Sequence, residues 1–191
     1  MQKYFIMFGP PGAGKGTHAA PMVKRYNLKH ISTGELLRSE IAAGTELGKQ
    51  AKALIEKGDF VPDVVVEGMI AGVFAANKDV KGFLLDGVPR TVQQAIDLDE
   101  MLESRDEYVT GVISLMIPDE EIKNRIKGRA LVEGRADDAN DETIDNRIRT
   151  YHDKTEPLIK IYKEKGIYHE IDGVGSIEEV GDRVMALMDT L

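Results

Sequence analysis

The sequence predicts an α/β fold in which an open parallel sheet is covered by helices on both faces. Three observations lead to this prediction. Short apolar runs with the length of buried strands recur along the 191 residues. Longer segments with helical spacing separate these runs. The first run also passes directly into a glycine-rich loop followed by a helical pattern. Strands that alternate with helices form right-handed crossover units, which produce parallel sheets.

Four segments have the composition of buried strands. The first is KYFIMF at 3–8, and the second is GFLLD at 82–86. GVISLMI at 111–117 ends before Pro118, and IYHEI at 167–171 ends before Asp172 and Gly173. The longest apolar stretches are only about five residues, far short of the roughly 20 that cross a bilayer. We therefore expect these strands in one sheet and no contact with a membrane.

About 55 residues lie between the first two predicted strands, far more than a single crossover needs. They include two helical patterns, STGELLRSEIAAG and TELGKQAKALIEKG. Ser32 or Thr33 is expected to cap the first helix, while Gly44 and Gly58 lie where helices should end. The surplus length predicts an inserted helical subdomain.

Two prolines predict further boundaries. Pro62 precedes Asp63, whose side chain is expected to cap the next helix. Pro157 interrupts the helical pattern that begins near Asn140. Because proline cannot supply a backbone N–H inside a helix, we expect a break or a kink there.

The charge and composition restrict the possible ligands. Lysine and arginine total 25 against 33 acidic residues, a formal net charge of −8. This balance argues against sequence-independent binding of nucleic acid phosphates. The chain has no cysteine, so it has no disulfide and no thiolate metal site, and its four histidines lack metal-ligand spacing. We expect a cytoplasmic protein that binds anions only through local clusters.

The loop GPPGAGKGTH at 9–18 provides one such cluster. Glycines permit positive φ and close approach of backbone N–H groups to a phosphate chain, and the following helix presents its positive end. Lys15 stands at the helix start, where its ammonium can reach the outer phosphates, as in the G-x-x-x-x-G-K pattern. The alternative is a glycine-rich turn with a solvated lysine. Gly16 replaces the usual Ser or Thr after the lysine, so Thr17 is expected to contact either phosphate or metal.

Asp86 ends the second predicted strand and is followed by Gly87, Pro89 and Arg90. Ligands collect at the carboxyl ends of strands in open parallel sheets. The carboxylate could therefore hold Mg²⁺ or its waters beside the phosphates. The alternative interpretation is an aspartate that caps a helix or stabilises a turn.

Arginines are concentrated in one segment. Five of the ten arginines lie within 125–149: Arg125, Arg129, Arg135, Arg147 and Arg149. Guanidinium groups bind phosphate bidentately and can neutralise a phosphoryl group in transfer. The alternative is surface ion pairing with nearby acidic residues, which are Asp137, Asp138, Asp141, Glu142 and Asp145.

Together these stretches resemble the adenylate kinase family in its short form. GPPGAGKGT, STGELLR, GFLLDGVPRT with Gln94, RIKGR, GRADDANDET and R-x-x-x-Y-H occur in the family's order. The resemblance implies a P-loop NTPase-type sheet with a core at 1–31, 62–127 and 139–191, an AMP-binding insert at 32–61 and a short lid at 128–138. It also implies reversible transfer from MgATP to AMP, giving two ADP, in a monomer without structural zinc.

The resemblance assigns residues to two nucleotide sites. The ATP site would contain Gly12, Ala13, Gly14, Lys15, Gly16, Thr17, Arg125, Arg129 and Gly175. The AMP site would contain Thr33, Arg38, Asp59, Phe60, Val61, Gly87, Val88, Pro89, Arg90, Gln94, Arg135 and Arg147. The catalytic residues would be Lys15, Arg90, Arg129, Arg135 and Arg147, with Asp86 serving Mg²⁺ through water. Asp137 and Asp138 resemble lid aspartates that tie the lid to the arginines.

Other functions stay open on the sequence alone. A kinase for UMP or CMP is one alternative, although such relatives tend to carry alanine at the position of Thr33. A nucleotide-operated switch protein would retain its nucleotide and transfer no phosphoryl group to AMP. A purely structural ATP-binding module would leave the arginines as a solvated face.

Overall fold

The computed structural model describes residues 2–135, 138 and 140–191. Within them, one sheet has the strand order β2-β3-β1-β4-β5, and every neighbouring pair is parallel. The strands are β1 (Lys3–Phe8), β2 (Leu28–Ser32), β3 (Gly82–Asp86), β4 (Val109–Met116) and β5 (Tyr168–Asp172). The predicted α/β class and all four predicted strands are confirmed.

Helices occupy the connections between the strands. They are α1 (Lys15–Tyr26), α2 (Thr33–Ala43), α3 (Glu46–Ile55), α4 (Asp63–Ala76), α5 (Val92–Glu103), α6 (Asp119–Glu133), α7 (Asp141–Thr150), α8 (Leu158–Glu164) and α9 (Ile177–Met188). A π-helical turn, Tyr151–Thr155, follows α7 directly. The predicted break near Pro157 is confirmed, since α8 begins only at Leu158.

Strand β2 was missed by the sequence analysis, which assigned the stretch before Ser32 no strand. Its sequence LKHIS buries only Leu28 and Ile31, so no continuous apolar run marks it. Among the described strands it lies at the edge of the sheet and pairs with β3 alone. Asn27, in the left-handed conformation at φ 53°, ends α1 and turns the chain directly into it.

Helix ends agree with the sequence at some positions and differ at others. The Ser32 hydroxyl accepts the Glu35 N–H at the start of α2, and Gly44 ends that helix at φ 66°. The prediction for Asp63 was wrong: Pro62 holds the cap position, and Asp63 is the first residue of α4 with no capping bond of its own. Its carboxylate instead contacts helix α5.

The sheet separates two hydrophobic cores because side chains alternate along β1. Tyr4, Ile6 and Phe8 face one core, which also contains Phe83 and Leu85. Phe5 and Met7 face the other core, where α1 and α9 contribute Met22, Val180 and Val184. Both faces are therefore covered, and the carboxyl edge of the sheet is left for the loops.

Helix α4 packs against two different groups of apolar side chains. Val66, Ile70 and Phe74, spaced four residues apart, belong to the large core. Val65 and Met69 instead contact a small cluster formed by Leu37, Ala51 and Val61. The stretch at 32–61 thus has a hydrophobic cluster of its own, attached to one side of α4.

Gly48 marks the closest approach between α2 and α3. A Cβ at this position would lie 2.2 Å from the carbonyl oxygen of Glu40. We expect Gly48→Ala to lower the free energy of unfolding by about 1–3 kcal/mol, measured by urea titration, because the two helices must separate. The matched control is Gly72→Ala in α4, where a Cβ meets nothing within 4 Å. An unchanged urea midpoint for Gly48→Ala would contradict this packing argument.

Candidate functional site

The glycine loop connects β1 to α1 at the carboxyl edge of the sheet. Gly9, Gly12 and Gly14 have φ values of 134°, 77° and 95°, which other residues rarely adopt. Gly14 occupies the N-cap position of α1, and the first turn of that helix contains no acidic residue. The loop therefore presents backbone N–H groups and the positive helix end to an anion.

Lys15 is held inside this loop. Its Nζ donates hydrogen bonds of 2.9 Å to the carbonyl oxygens of Gly9 and Pro10. Burial lowers the pKa of Lys15 to about 8; the nearby Asp86 opposes this shift, and three surrounding arginines add to it. A partly desolvated ammonium among guanidinium groups is an environment that favours binding of a polyanion.

Asp86 ends β3 beside the loop. Burial opposes its ionisation, but the neighbouring His30 imidazole and the Lys15 ammonium outweigh burial and lower the pKa of Asp86. The Nε2 atom of His30 lies 3.7 Å from Oδ2 of Asp86, beyond hydrogen-bond distance. Oδ2 also lies 3.9 Å from where a Cβ on Gly16 would be. An ionised carboxylate thus stands next to the phosphate loop.

Among the described residues, no group of three or more His, Cys, Asp or Glu side chains could enclose a metal ion. Asp86 offers a carboxylate beside the loop. Such a site suits a cation that arrives with its own phosphate and water ligands, as Mg²⁺ does with a nucleotide. The same described residues also contain no helix with the length and apolar character that a bilayer span requires.

Asp138 joins two of the clustered arginines. Its carboxylate accepts hydrogen bonds of 2.7 and 2.8 Å from Nε and Nη2 of Arg129 and a further, short one from Nη1 of Arg147. The Asp138 side chain is fully buried, whereas the two guanidinium groups keep 23% and 15% exposure. Burial opposes ionisation, but the bond and charge of Arg129, with the charges of the other arginines, lower the pKa of Asp138.

The remaining clustered arginines divide between cleft and surface. Arg125 donates to the Gly173 carbonyl at 2.9 Å and pairs with Glu121, so it connects α6 to the loop after β5. Arg135 pairs with Glu133, and Arg149 is exposed. Of the acids proposed as surface partners, Asp141 pairs with Lys127 and Asp145 with Lys123, whereas Asp138 binds arginines as described above. Asp137 lies outside the described residues.

On the opposite side of the cleft, hydrogen bonds converge on the backbone at 87–90. The carbonyl of Gly87 accepts from Thr33 Oγ1 at 3.0 Å and from Arg90 Nε at 2.7 Å. The Arg90 guanidinium also lies over the Phe60 ring, 5.4 Å from its centre. The Arg90 backbone is fixed as well, since its carbonyl accepts from Thr155 Oγ1 at 2.7 Å.

A single cleft of about 850 Å³ lies between these groups. Every residue that the sequence analysis assigned to the two nucleotide sites lines it, except Ala13, whose carbonyl faces Arg125 at 3.5 Å. Asp86 lines it too. The contacts of His30, Asp63 and Thr155 were missed by the sequence analysis, because isolated polar residues outside a motif carry no pattern.

Comparisons with known proteins agree with the resemblance in the sequence. A family model described as adenylate kinase matches residues 7–167. A protein named adenylate kinase from Leptospira biflexa is 47% identical over 183 residues, which cover 96% of this chain and 98% of that protein. Those from Flavobacterium psychrophilum and Bacteroides fragilis are 44% and 43% identical over 186 residues, covering 97% of this chain and 98% of each relative.

Proposed function

The chain belongs to the adenylate kinase family, and from that premise we propose which of its residues perform the reaction. It is a nucleoside monophosphate kinase that transfers a phosphoryl group reversibly from ATP to AMP, giving two ADP. The observation that carries the proposal is the cleft, where the glycine loop and six arginines from different segments of the chain face one volume of about 850 Å³. Such a volume accommodates two nucleotides end to end.

ATP binds on the side of the glycine loop in this proposal. Residues 12–17 surround its phosphates, with Lys15 at the outer ones. Arg125 and Arg129 contact ATP from α6, and the backbone of Gly175 contacts its adenine base. Support comes from Arg125, whose guanidinium contacts the carbonyl oxygens of both Ala13 in the loop and Gly173 after β5, and so connects the two segments proposed to bind ATP.

AMP binds on the side of Thr33 and Arg90. The α-phosphate meets the guanidinium groups of Arg38 and Arg90, while the base lies against Gln94. The remaining groups are the backbone of residues 59–61 and 87–89. Support comes from the short contacts around the Gly87 carbonyl, which hold Thr33 and Arg90 towards the same point of the cleft.

Transfer proceeds in line from the γ-phosphate of ATP to a phosphate oxygen of AMP, and no side-chain nucleophile is needed. Arg129, Arg135 and Arg147 neutralise charge on the phosphoryl group during transfer. When bound with ATP, Mg²⁺ would neutralise part of the phosphate charge. Asp86, whose lowered pKa keeps it ionised beside the loop, is the residue that would hold this ion through water.

Water must be kept from the reacting phosphate, because hydrolysis would waste the phosphoryl group. We infer that the insert at 32–61 and the lid at 128–138 close over the two nucleotides. The separate hydrophobic cluster of the insert supports this division of the chain. We further propose a cytoplasmic monomer without structural zinc, whose partners are ATP, AMP and ADP rather than nucleic acid or membrane.

A panel of nucleotide acceptors tests the proposed function. With ATP as donor, we expect phosphoryl transfer to AMP to exceed transfer to CMP, UMP and GMP, and we expect all transfer to require Mg²⁺. The assay measures formation of each diphosphate by chromatography. Preference for a pyrimidine would favour a UMP/CMP-type kinase. Slow hydrolysis without transfer to any monophosphate would instead favour a nucleotide-operated switch.

A further inference from the structure

The side-chain amide of Gln94 is held at both ends by hydrogen bonds. Its Oε1 accepts the backbone N–H of Arg90 at 2.8 Å. Its Nε2 donates to Oδ1 of Asp63 at 2.7 Å. The residue is only 4% exposed and still lines the cleft, so its small exposed part faces the cleft.

These two partners permit one orientation of the amide. A backbone N–H can only donate, and an ionised carboxylate can only accept. If the amide were rotated by 180°, its nitrogen would face the Arg90 N–H and its oxygen would face Asp63. Both contacts would then be repulsive, so the carboxylate of Asp63 fixes which end of Gln94 is the donor.

Asp63 is itself anchored. As the first residue of α4 it is half-buried, and its second oxygen accepts from Thr91 Oγ1 at 3.2 Å. Thr91 in turn accepts the backbone N–H of Gln94 at 3.1 Å, as the cap of α5. The carboxylate therefore bridges the starts of two helices and points at the amide of Gln94.

The amide keeps one hydrogen and one lone pair for a ligand. A 6-aminopurine offers a donor at N6 and an acceptor at N1, which match an amide oxygen and an amide N–H. A 6-oxopurine offers the reverse pattern, an acceptor at O6 and a donor at N1. A freely rotating amide could serve both bases, whereas a fixed one serves a single pattern.

We propose that Asp63 is a positioning residue that determines acceptor specificity, by holding the Gln94 amide in the orientation that selects a 6-aminopurine over a 6-oxopurine. This inference rests on the proposed AMP site. Asp63 is not among the residues that line the cleft, and in this proposal it acts only through Gln94.

The experiment compares AMP with IMP, which differ only at the 6-position and at N1. We expect Asp63→Ala to reduce the ratio of kcat/KM for AMP to that for IMP by about tenfold, the discrimination typical of one oriented hydrogen bond. The change should appear in KM for the monophosphate, with KM for ATP unchanged. Asp63→Asn keeps an oxygen acceptor for Nε2 of Gln94 and should retain most of the preference. Asp63→Leu, of similar size, replaces the alanine variant if that variant does not fold.

Glu67→Ala is the matched control, since Glu67 lies one turn further along α4, contacts Asp97 and interacts with Asp63 only through its charge. It should keep the ratio of the unmodified protein. A full AMP preference in both Asp63→Ala and Asp63→Leu would overturn the role of Asp63 while leaving the kinase function intact. An equal loss for AMP and IMP would also overturn it, as a merely structural effect. Failure of the unmodified protein to phosphorylate AMP would instead overturn the proposed function and the inference with it.

Discussion

Replacing Lys15 by alanine is expected to lower kcat/KM by at least about a hundredfold, the loss typical of a group that stabilises charge in a transition state. Lys15 is the only side chain of the glycine loop itself that carries a charge, and its pKa of about 8 keeps it mostly protonated at neutral pH. Arg90→Ala should cause a loss of the same order, because its guanidinium is fixed against the Gly87 carbonyl at the acceptor side. Initial rates at varied ATP and AMP concentrations provide the measurement.

Lys24→Ala is the appropriate control for the lysine. Lys24 lies in the last turn of the same helix and is exposed, so its removal changes the net charge equally without touching the cleft. Its rates should match those of the unmodified protein. Near-normal turnover in a folded Lys15→Ala or Arg90→Ala protein would refute the role assigned to that residue.

Asp138→Ala is expected to reduce turnover by about tenfold or more and to lower the free energy of unfolding by about 3 kcal/mol, near the lower end for a broken buried ion pair. The carboxylate is buried and holds the guanidinium groups of Arg129 and Arg147 together. Without it, two like charges remain close, and each guanidinium loses the buried carboxylate that orients it. Urea unfolding and steady-state rates measure the two effects separately.

The stability effect should depend on pH in a defined direction. The pKa of Asp138 in the folded protein is lowered from the ordinary 3.8. Its ion pairs therefore contribute fully above that value and lose their contribution as the pH falls through the folded pKa. The stability difference between the two proteins should shrink under acid. Asp145→Ala, which removes an exposed acid paired with Lys123, is the control and should change neither property. A pH-independent difference would contradict this account.

Local patterns in the sequence were sufficient for much of the fold and for the phosphate loop. The loop conformation requires positive φ at Gly9, Gly12 and Gly14, so the spacing of these glycines and Lys15 in the sequence is enough to predict it. The four apolar strands are similarly recognisable. Strand β2 is not, because it buries only Leu28 and Ile31, which lie three residues apart, and it depends on β3 for its pairing.

Contacts between distant segments could not be predicted in the same way. Asp63 has the sequence position of a helix cap, yet its carboxylate binds Gln94 across 31 residues. Asp138 was predicted only by resemblance to tie the lid to the arginines, and which two it joins depends on how α6 and α7 lie. The sequence gives the type of each such side chain, but which partner it contacts is determined by how the helices and strands pack.

Helix α4 belongs to two hydrophobic units at once, and this has a consequence for communication across the molecule. Any displacement of the insert must either slide over Val65 and Met69 or tilt the whole helix against the sheet. A tilt would move Asp63 as well and change its hydrogen bond with Gln94. Since thermodynamic coupling is reciprocal, a base that hydrogen-bonds with Gln94 would in turn favour one orientation of the insert. The choice of acceptor and the movement of the insert would then both depend on helix α4.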